Sequence, residues 1–174
     1  VKGIVTLTGG GVIATGISIL GTLIFTAILG PAEFGIYGLV LSVVVILNYF
    51  SDIGLAASLI QKKDKVTTAD LRTTFTIQET LVLLILTLTL AFTNYISSYY
   101  NFTQTQIHLF YALLISFFLS SFKSIPSVIL ERELRFDKII LVRIFETLVF
   151  NLTAVAMALN NFGALSFGIA LILQ

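Results

Sequence analysis

The sequence predicts an all-α integral membrane protein, a bundle of transmembrane helices, and three observations carry that prediction. Hydrophobic residues make up 57% of the chain and charged ones only 11%, with a mean hydropathy of +1.03, whereas an ordinary globular chain is about a quarter charged. Apolar runs recur at the length of roughly 20 residues that a helix needs to cross the hydrocarbon core. The ten Lys and Arg residues fall into three clusters, namely Lys2, then Lys62, Lys63, Lys65 and Arg72, then Lys123, Arg132, Arg135, Lys138 and Arg143. The connections 30–35, 97–106 and 160–163 carry Glu33 and no basic residue.

Because Lys and Arg are retained on the cytoplasmic side of a cell membrane, the clusters are expected inside, the bare connections outside and the N-terminus inside. A net charge of +1 provides no field that would gather nucleic acid, so none is expected as a partner. Cysteine is absent, which excludes disulfides and thiolate chemistry. The lone His108 has no His, Cys or acidic neighbour at ligand spacing, and it reads as an interfacial residue. No metal or cofactor is expected.

Five runs are long enough to span: Ile4 to Leu29, Phe34 to Ile60, Leu71 to Ile96, Ile107 to Leu130 and Ile139 to Leu159. The first is too long for a signal peptide and ends in Gly30-Pro31 without a small-residue cleavage pattern. Thr67-Thr68-Ala69-Asp70 has the form of a capping box and should open the third helix. Tyr95, Tyr99 and Tyr100 fall where that helix leaves the membrane, as interfacial aromatics do. Pro126 should kink the fourth helix, since it lacks an N–H and its ring crowds the preceding turn. A sixth run opens near Ala164 and reaches Gln174, about half a crossing. It predicts that the chain is the N-terminal part of a longer protein. Asn101-Phe102-Thr103 and Asn151-Leu152-Thr153 spell glycosylation sequons, but the second lies inside a span.

Thr6, Gly10, Ala14, Ser18, Thr22, Thr26 and Gly30 place a small residue at every fourth position of the first run. Such spacing lets helix backbones approach closely and lets hydroxyls bond across the contact. The stripe serves tight packing against a neighbour, or it presents a small-residue face to a path or a moving interface. A period of four drifts around a helix of period 3.6, so it cannot face one partner along its whole length.

Ionisable residues are expensive inside a span. Asp52, Glu79, Lys123 and Glu146 each lie seven or eight residues from the basic end of their runs, roughly 10 to 12 Å in at 1.5 Å per residue. They are expected to form one layer. Arg143 shares a helical face with Glu146, Arg72 with Glu79, and Asn48 with Asp52. One reading is a structural cluster in which Lys123 or Arg143 neutralises Glu79 or Glu146, with Arg72 as a further charge partner. The other makes a carboxylate a site for a coupling proton or cation.

Leu29-Gly30-Pro31-Ala32-Glu33-Phe34-Gly35-Ile36-Tyr37-Gly38-Leu39, Asp52-Ile53-Gly54-Leu55 and Leu59-Ile60-Gln61-Lys62-Lys63 resemble the N-terminal signature of the polysaccharide-biosynthesis flippases. These belong to the multidrug/oligosaccharidyl-lipid/polysaccharide transporter superfamily. Pro126 with Leu130-Glu131-Arg132-Glu133-Leu134-Arg135-Phe136-Asp137-Lys138 resembles the segment after that family's fourth helix, and 158–163 its turn before the sixth. The resemblance covers nearly the whole chain in the expected order, although no piece of it is a catalytic motif.

The resemblance implies that this chain is the N-terminal lobe of a two-lobe transporter of that superfamily, the second lobe being absent from the sequence. It implies alternating access, in which the lobes rock about a central cavity and carry an undecaprenyl-diphosphate-linked sugar or oligosaccharide to the external leaflet for surface polysaccharide such as lipopolysaccharide or exopolysaccharide. No covalent chemistry is implied, and a polysaccharide polymerase and other assembly proteins are the expected partners. Since the resemblance puts the first two helices beside the cavity, Asp52, with Asn48 on its face, leads the candidates for ion coupling or cavity lining, followed by Glu79 and Glu146. Lys62, Lys63 and Lys65 are candidates for first contact with the headgroup at the cytoplasmic mouth.

One departure bears on the substrate: a diphosphate calls for Arg or Lys, and the first two spans hold neither. Two other classes stay open, a cation-coupled multidrug antiporter of the same superfamily and a non-transporting structural membrane domain. A membrane glycosyltransferase would need catalytic residues in sizeable loops, and the external connections are short and nearly uncharged.

Overall fold

The computed structural model describes residues 2–51, 55–62 and 64–174. Among them the chain is all helical: α1 (Lys2–Ile28), α2 (Pro31–Ser51), α3 (Leu55–Gln61), α4 (Thr68–Ala91), α5 (Thr93–Tyr99), α6 (Gln104–Ser121), α7 (Ser124–Arg132), α8 (Phe136–Leu159) and α9 (Leu165–Leu173). The protein is a membrane helix bundle. Among the described residues, Thr8–Ile28, Thr68–Ala91 and Phe136–Leu159 are each long and apolar enough to cross a membrane, and α6 with α7 is a fourth such unit, bent by 41°. Outward-facing Leu20, Leu23, Leu84, Leu141, Phe145 and Leu152 are half or more exposed, as lipid-facing side chains are.

Helix starts and stops follow local chemistry. The Thr67 hydroxyl accepts from the Asp70 N–H, and the Asp70 carboxylate accepts from the Thr67 N–H at 2.8 Å, completing the capping box that opens α4. A second box, from Thr103 and Gln106, opens α6. Three helices end in Schellman turns, in which a left-handed residue lets the chain fold back onto orphan carbonyls. Asn101 (φ 52°) ends α5, Leu134 (φ 55°) ends α7 and Asn161 (φ 64°) ends α8. The N–H groups of Phe102, Arg135 and Phe162 then reach Ser97, Leu130 and Met157 at 2.8, 2.9 and 3.2 Å.

The bend in the fourth run falls at Phe122 and Lys123 rather than at Pro126 itself. Pro126 cannot donate to the carbonyl four residues back, that of Phe122, and its ring pushes that turn open. The third run is interrupted only at Phe92, where hydrogen bonds from Phe92 to Leu88 and from Ile96 to Phe92 continue the ladder at 3.0 and 2.9 Å.

Among the described residues, two clusters form the core. In one, Val82 of α4 and Leu109, Phe110, Leu113, Leu114 and Phe117 of α6 are buried with Ala164, with Ile36, Phe102 and Leu165 packed against them. In the other, Phe25 of α1 and Leu29 just after it pack with Ala154 and Ala158 of α8 and Phe167 and Ala170 of α9. Phe34 and Tyr37, from the Gly-Pro-Ala-Glu-Phe-Gly-Ile-Tyr segment, join it: Tyr37 stacks on Phe167 with centroids 4.0 Å apart, and Phe34 meets the same ring edge-on at 5.4 Å. α9 also lies close against α6, where a β-carbon on Gly168 would come within 2.8 Å of the Ala112 methyl.

α1 and α8 make the most extensive helix pair. Gly10 lies against Ile140 and Gly21 against Asn151, so the two helices run parallel. The buried residues of α1 among those whose burial is described are Gly10, Ala14, Gly21 and Phe25, followed by Leu29 just past its end. The four-residue stripe therefore packs at Gly10 and Ala14 and then rotates off the contact, leaving Ser18, Thr22 and Thr26 exposed. Their register is kept within the helix, where Thr22 Oγ1 donates to the Ser18 carbonyl at 2.8 Å and Thr26 Oγ1 to the Thr22 carbonyl at 2.7 Å.

Candidate functional site

The ends of the bundle differ in charge. At one, Arg132 at the close of α7 reaches α3: its guanidinium donates to the carbonyls of Leu59 and Asp64, each at 2.6 Å, and to Ile60 at 3.4 Å. The Leu59 and Ile60 carbonyls lie in the last turn of α3, where carbonyls lack intrahelical partners and a cation suits the dipole. Lys62 beside them bonds Asp70 at 2.6 Å, tying the same corner to the start of α4. The Gly10–Ile140 contact brings the beginnings of α1 and α8 to this end. At the other end the connections without basic residues meet, with Ala164, Leu165, Phe102 and Ile36 in one cluster and the Glu33 carboxylate 2.6 Å from where a β-carbon on Gly163 would stand. The basic clusters thus share one end, as the alternation of charge requires.

Within the bundle, Lys123 stands at the α6–α7 bend and donates to Glu146 Oε1 at 2.9 Å. Releasing the helix at Phe122 lets Lys123 turn toward α8, and the bond neutralises a carboxylate that would otherwise sit charged in an apolar setting. A groove of about 570 Å³ runs along this pair between the bend and α8, lined by Phe122, Pro126, Ser127, Val142 and Arg143 among others. Lys123 also borders a smaller cavity of about 240 Å³, with Ser116, Ser120 and Gln174.

The other candidate residues that are described are not part of this ion pair. Glu79 is partly buried in α4, with Oε1 shielded from solvent and without a hydrogen-bond partner among the described residues. Arg72 and Arg143 are exposed and form no ion pair among the described residues. Asp52 lies outside the described residues, and of Asn48 only the backbone, within α2, is described. At the basic end Lys65 lines a cleft of about 390 Å³ with Val66, Leu71 and Arg132, Lys62 is committed to Asp70, and Lys63 lies outside the described residues.

Sequence reasoning missed two contacts that organise this region. The sequence marks Arg132 as part of a basic cluster and of the 130–138 segment but not as a clamp, because nothing local announces a bond to carbonyls some seventy positions away. Asn151 was noted only for its sequon. It is buried at 8% exposure, with Nδ2 donating to the Thr147 carbonyl at 2.7 Å and Oδ1 turned onto Gly21. A polar residue in the middle of an apolar run was the available signal, since such residues bond across helices.

Chemically, the arrangement offers a neutralised ion pair beside a groove, a hydroxyl ladder on an open helix face and a cationic end. Comparison with curated proteins and with solved structures finds no match. A family model described as polysaccharide biosynthesis protein matches residues 24–174, including the aromatic segment that packs on Phe167, the clamped corner at Arg132 and the Lys123–Glu146 pair. The chain belongs to the polysaccharide biosynthesis protein family.

Proposed function

We propose that this chain is the N-terminal lobe of a flippase in the cytoplasmic membrane, moving a lipid-linked sugar or oligosaccharide to the external leaflet by rocking against a second lobe. The observation that carries the reading is the family match over residues 24–174 on a bundle of membrane-length helices. A role in polysaccharide synthesis or export needs a way to bring a polar glycan through hydrocarbon, where its hydroxyls would lose water without replacement. A polar cavity supplies the replacement, and rigid-body rocking changes the side to which it opens.

Features of the fold support the same reading. Ser18, Thr22 and Thr26 form an exposed hydroxyl face on α1, suited to a glycan in passage. The basic end faces the cytoplasm in this scheme, following the retention of Lys and Arg there, and the N-terminus is inside. The cargo carrier is undecaprenyl diphosphate, no covalent bond is made or broken, and the cationic groups that a diphosphate requires come largely from the second lobe. A polymerase and other assembly proteins receive the product. Glu79, with its unpartnered oxygen, is the described residue that favours the second reading, a cation-coupled antiporter of the same superfamily.

Deletion of the full-length gene in its host tests the proposal. Loss of surface polysaccharide with the lipid-linked glycan retained on the cytoplasmic leaflet is expected. Normal polymer with altered drug tolerance would transfer the assignment to the antiporter.

A further inference from the structure

We infer that the groove between the α6–α7 bend and α8 binds the headgroup of a monoanionic phospholipid from the surrounding membrane, with Arg143 as its principal ligand. This goes beyond the transport reading and does not depend on it.

Arg143 lies seven residues after Phe136, the first residue of α8, about 10 Å along the axis at 1.5 Å per residue. Its side chain is exposed on a helix otherwise apolar enough to cross a membrane. A guanidinium stays charged at any accessible pH, so burial cannot neutralise it, and an intramembrane cation requires an anion or a path to water. The acid on its own face, Glu146, is taken by Lys123 at 2.9 Å. Glu79 has its shielded oxygen unbonded, so it does not serve either. Among the described residues the charge is left over.

The groove around it has the complementary chemistry. With Lys123 and Arg143 positive and Glu146 negative, its lining carries one net positive charge. Phe122, Leu130, Ile139 and Val142 make the remaining walls apolar, which suits an acyl chain and offers nothing to a free anion. The 41° bend swings α7 aside, and Ser127 adds a polar residue to the lining. One net positive charge matches a phosphodiester, which has one negative charge, better than a diphosphate, which has more. Basic pockets between helices near the cytoplasmic surface hold lipid headgroups by the same physics, and the guanidinium fork matches two phosphate oxygens at once.

The full-length protein would be reconstituted in nanodiscs of phosphatidylcholine with a minor fraction of phosphatidylglycerol, and the lipids retained after extraction counted by native mass spectrometry. Retention of phosphatidylglycerol over phosphatidylcholine is expected. Arg143→Gln should lower that preference about tenfold, the equivalent of one lost charge-assisted contact, and Arg143→Lys should keep part of it. Arg135→Gln, whose residue sits outside the groove beside Glu133, should change nothing. Val142→Trp is a second test in which the charge is intact: the exposed Val142 tolerates the change in folding, and the ring should fill the trough and abolish retention. Equal retention of the two lipids, an unchanged preference in both groove variants, or displacement of phosphatidylglycerol by equimolar undecaprenyl phosphate would overturn the inference.

Discussion

The side-chain oxygen of Asn151 in α8 occupies the space that a β-carbon would take on Gly21 in α1. That oxygen is buried without a hydrogen-bond donor among the described residues, and only a residue without a β-carbon lets it approach the α1 backbone so closely. The contact fixes the register of the largest helix pair in the bundle.

Gly21→Ala should therefore destabilise the protein by about 1–3 kcal/mol, the usual result of overpacking a tight contact. Gly16→Ala is the control, since a β-carbon there meets nothing within 4 Å. Thermal unfolding in detergent should show a lowered midpoint for the first variant and none for the second.

Replacing Ser18, Thr22 and Thr26 together by Val should leave the unfolding midpoint nearly unchanged, because all three are exposed and off the packed face. On the proposed function, transport of the lipid-linked glycan should fall. A triple variant with full transport would remove this face from the path.

Lys123→Ala should cost about 1 kcal/mol or somewhat more, intermediate between exposed and buried ion pairs, since the side chains of Lys123 and Glu146 are 47% and 20% exposed. Glu146→Gln should cost less once Lys123 is already removed. A double-mutant cycle on thermal unfolding measures that coupling, and additive effects would mean that the bond contributes nothing.

Arg132→Lys should loosen the corner between α3 and α7. One ammonium cannot reproduce the planar fork that holds the Leu59 and Asp64 carbonyls together. Charge-assisted bonds are worth about 1.5–3 kcal/mol each, so hydrogen exchange at residues 59–62 and 64–66 should accelerate about tenfold or more, with α1 and α8 unaffected.

Leu134→Gly should stabilise the α7–α8 turn by about 1 kcal/mol. The left-handed conformation that closes the Schellman motif there, φ 55°, penalises a branched L-residue and suits glycine. Since Leu134 is 70% exposed, the substitution sacrifices little packing, and a raised melting midpoint is the readout.

Much of the helical pattern was legible because it is local. Apolar run length marks where helices lie, Thr67 and Asp70 cap α4 through a three-residue spacing, and Pro126 announces a bend, though the bend appears where the lost acceptor is, at Phe122. Charge alternation foresaw that the basic clusters would share an end. The Gly10–Gly21 face was only half legible: a stripe counted in fours found Gly10 and Ala14 but continued to Ser18 and Thr22, while the packed surface moved on to Gly21 and Phe25. A helix turns in steps of 100°, and only the position of α8 reveals which step is taken. In the polar layer, sequence supplied the candidates for Lys123's partner, and the choice of Glu146 depends on how the broken helix aims the lysine. The meeting of Phe34 and Tyr37 with Phe167 is likewise a tertiary event, which no local pattern encodes.

Thr22 and Thr26 spend their hydroxyl protons on carbonyls of their own helix, so what they present outward is lone pairs and methyl groups. Such a surface demands no donor from its surroundings, yet it accepts one when water or a sugar offers it. α1 is thereby amphibious over this stretch: it can lie against oil or against an aqueous cleft with little change in its own energy, and a wall with that indifference can be uncovered and covered again without a barrier of its own making.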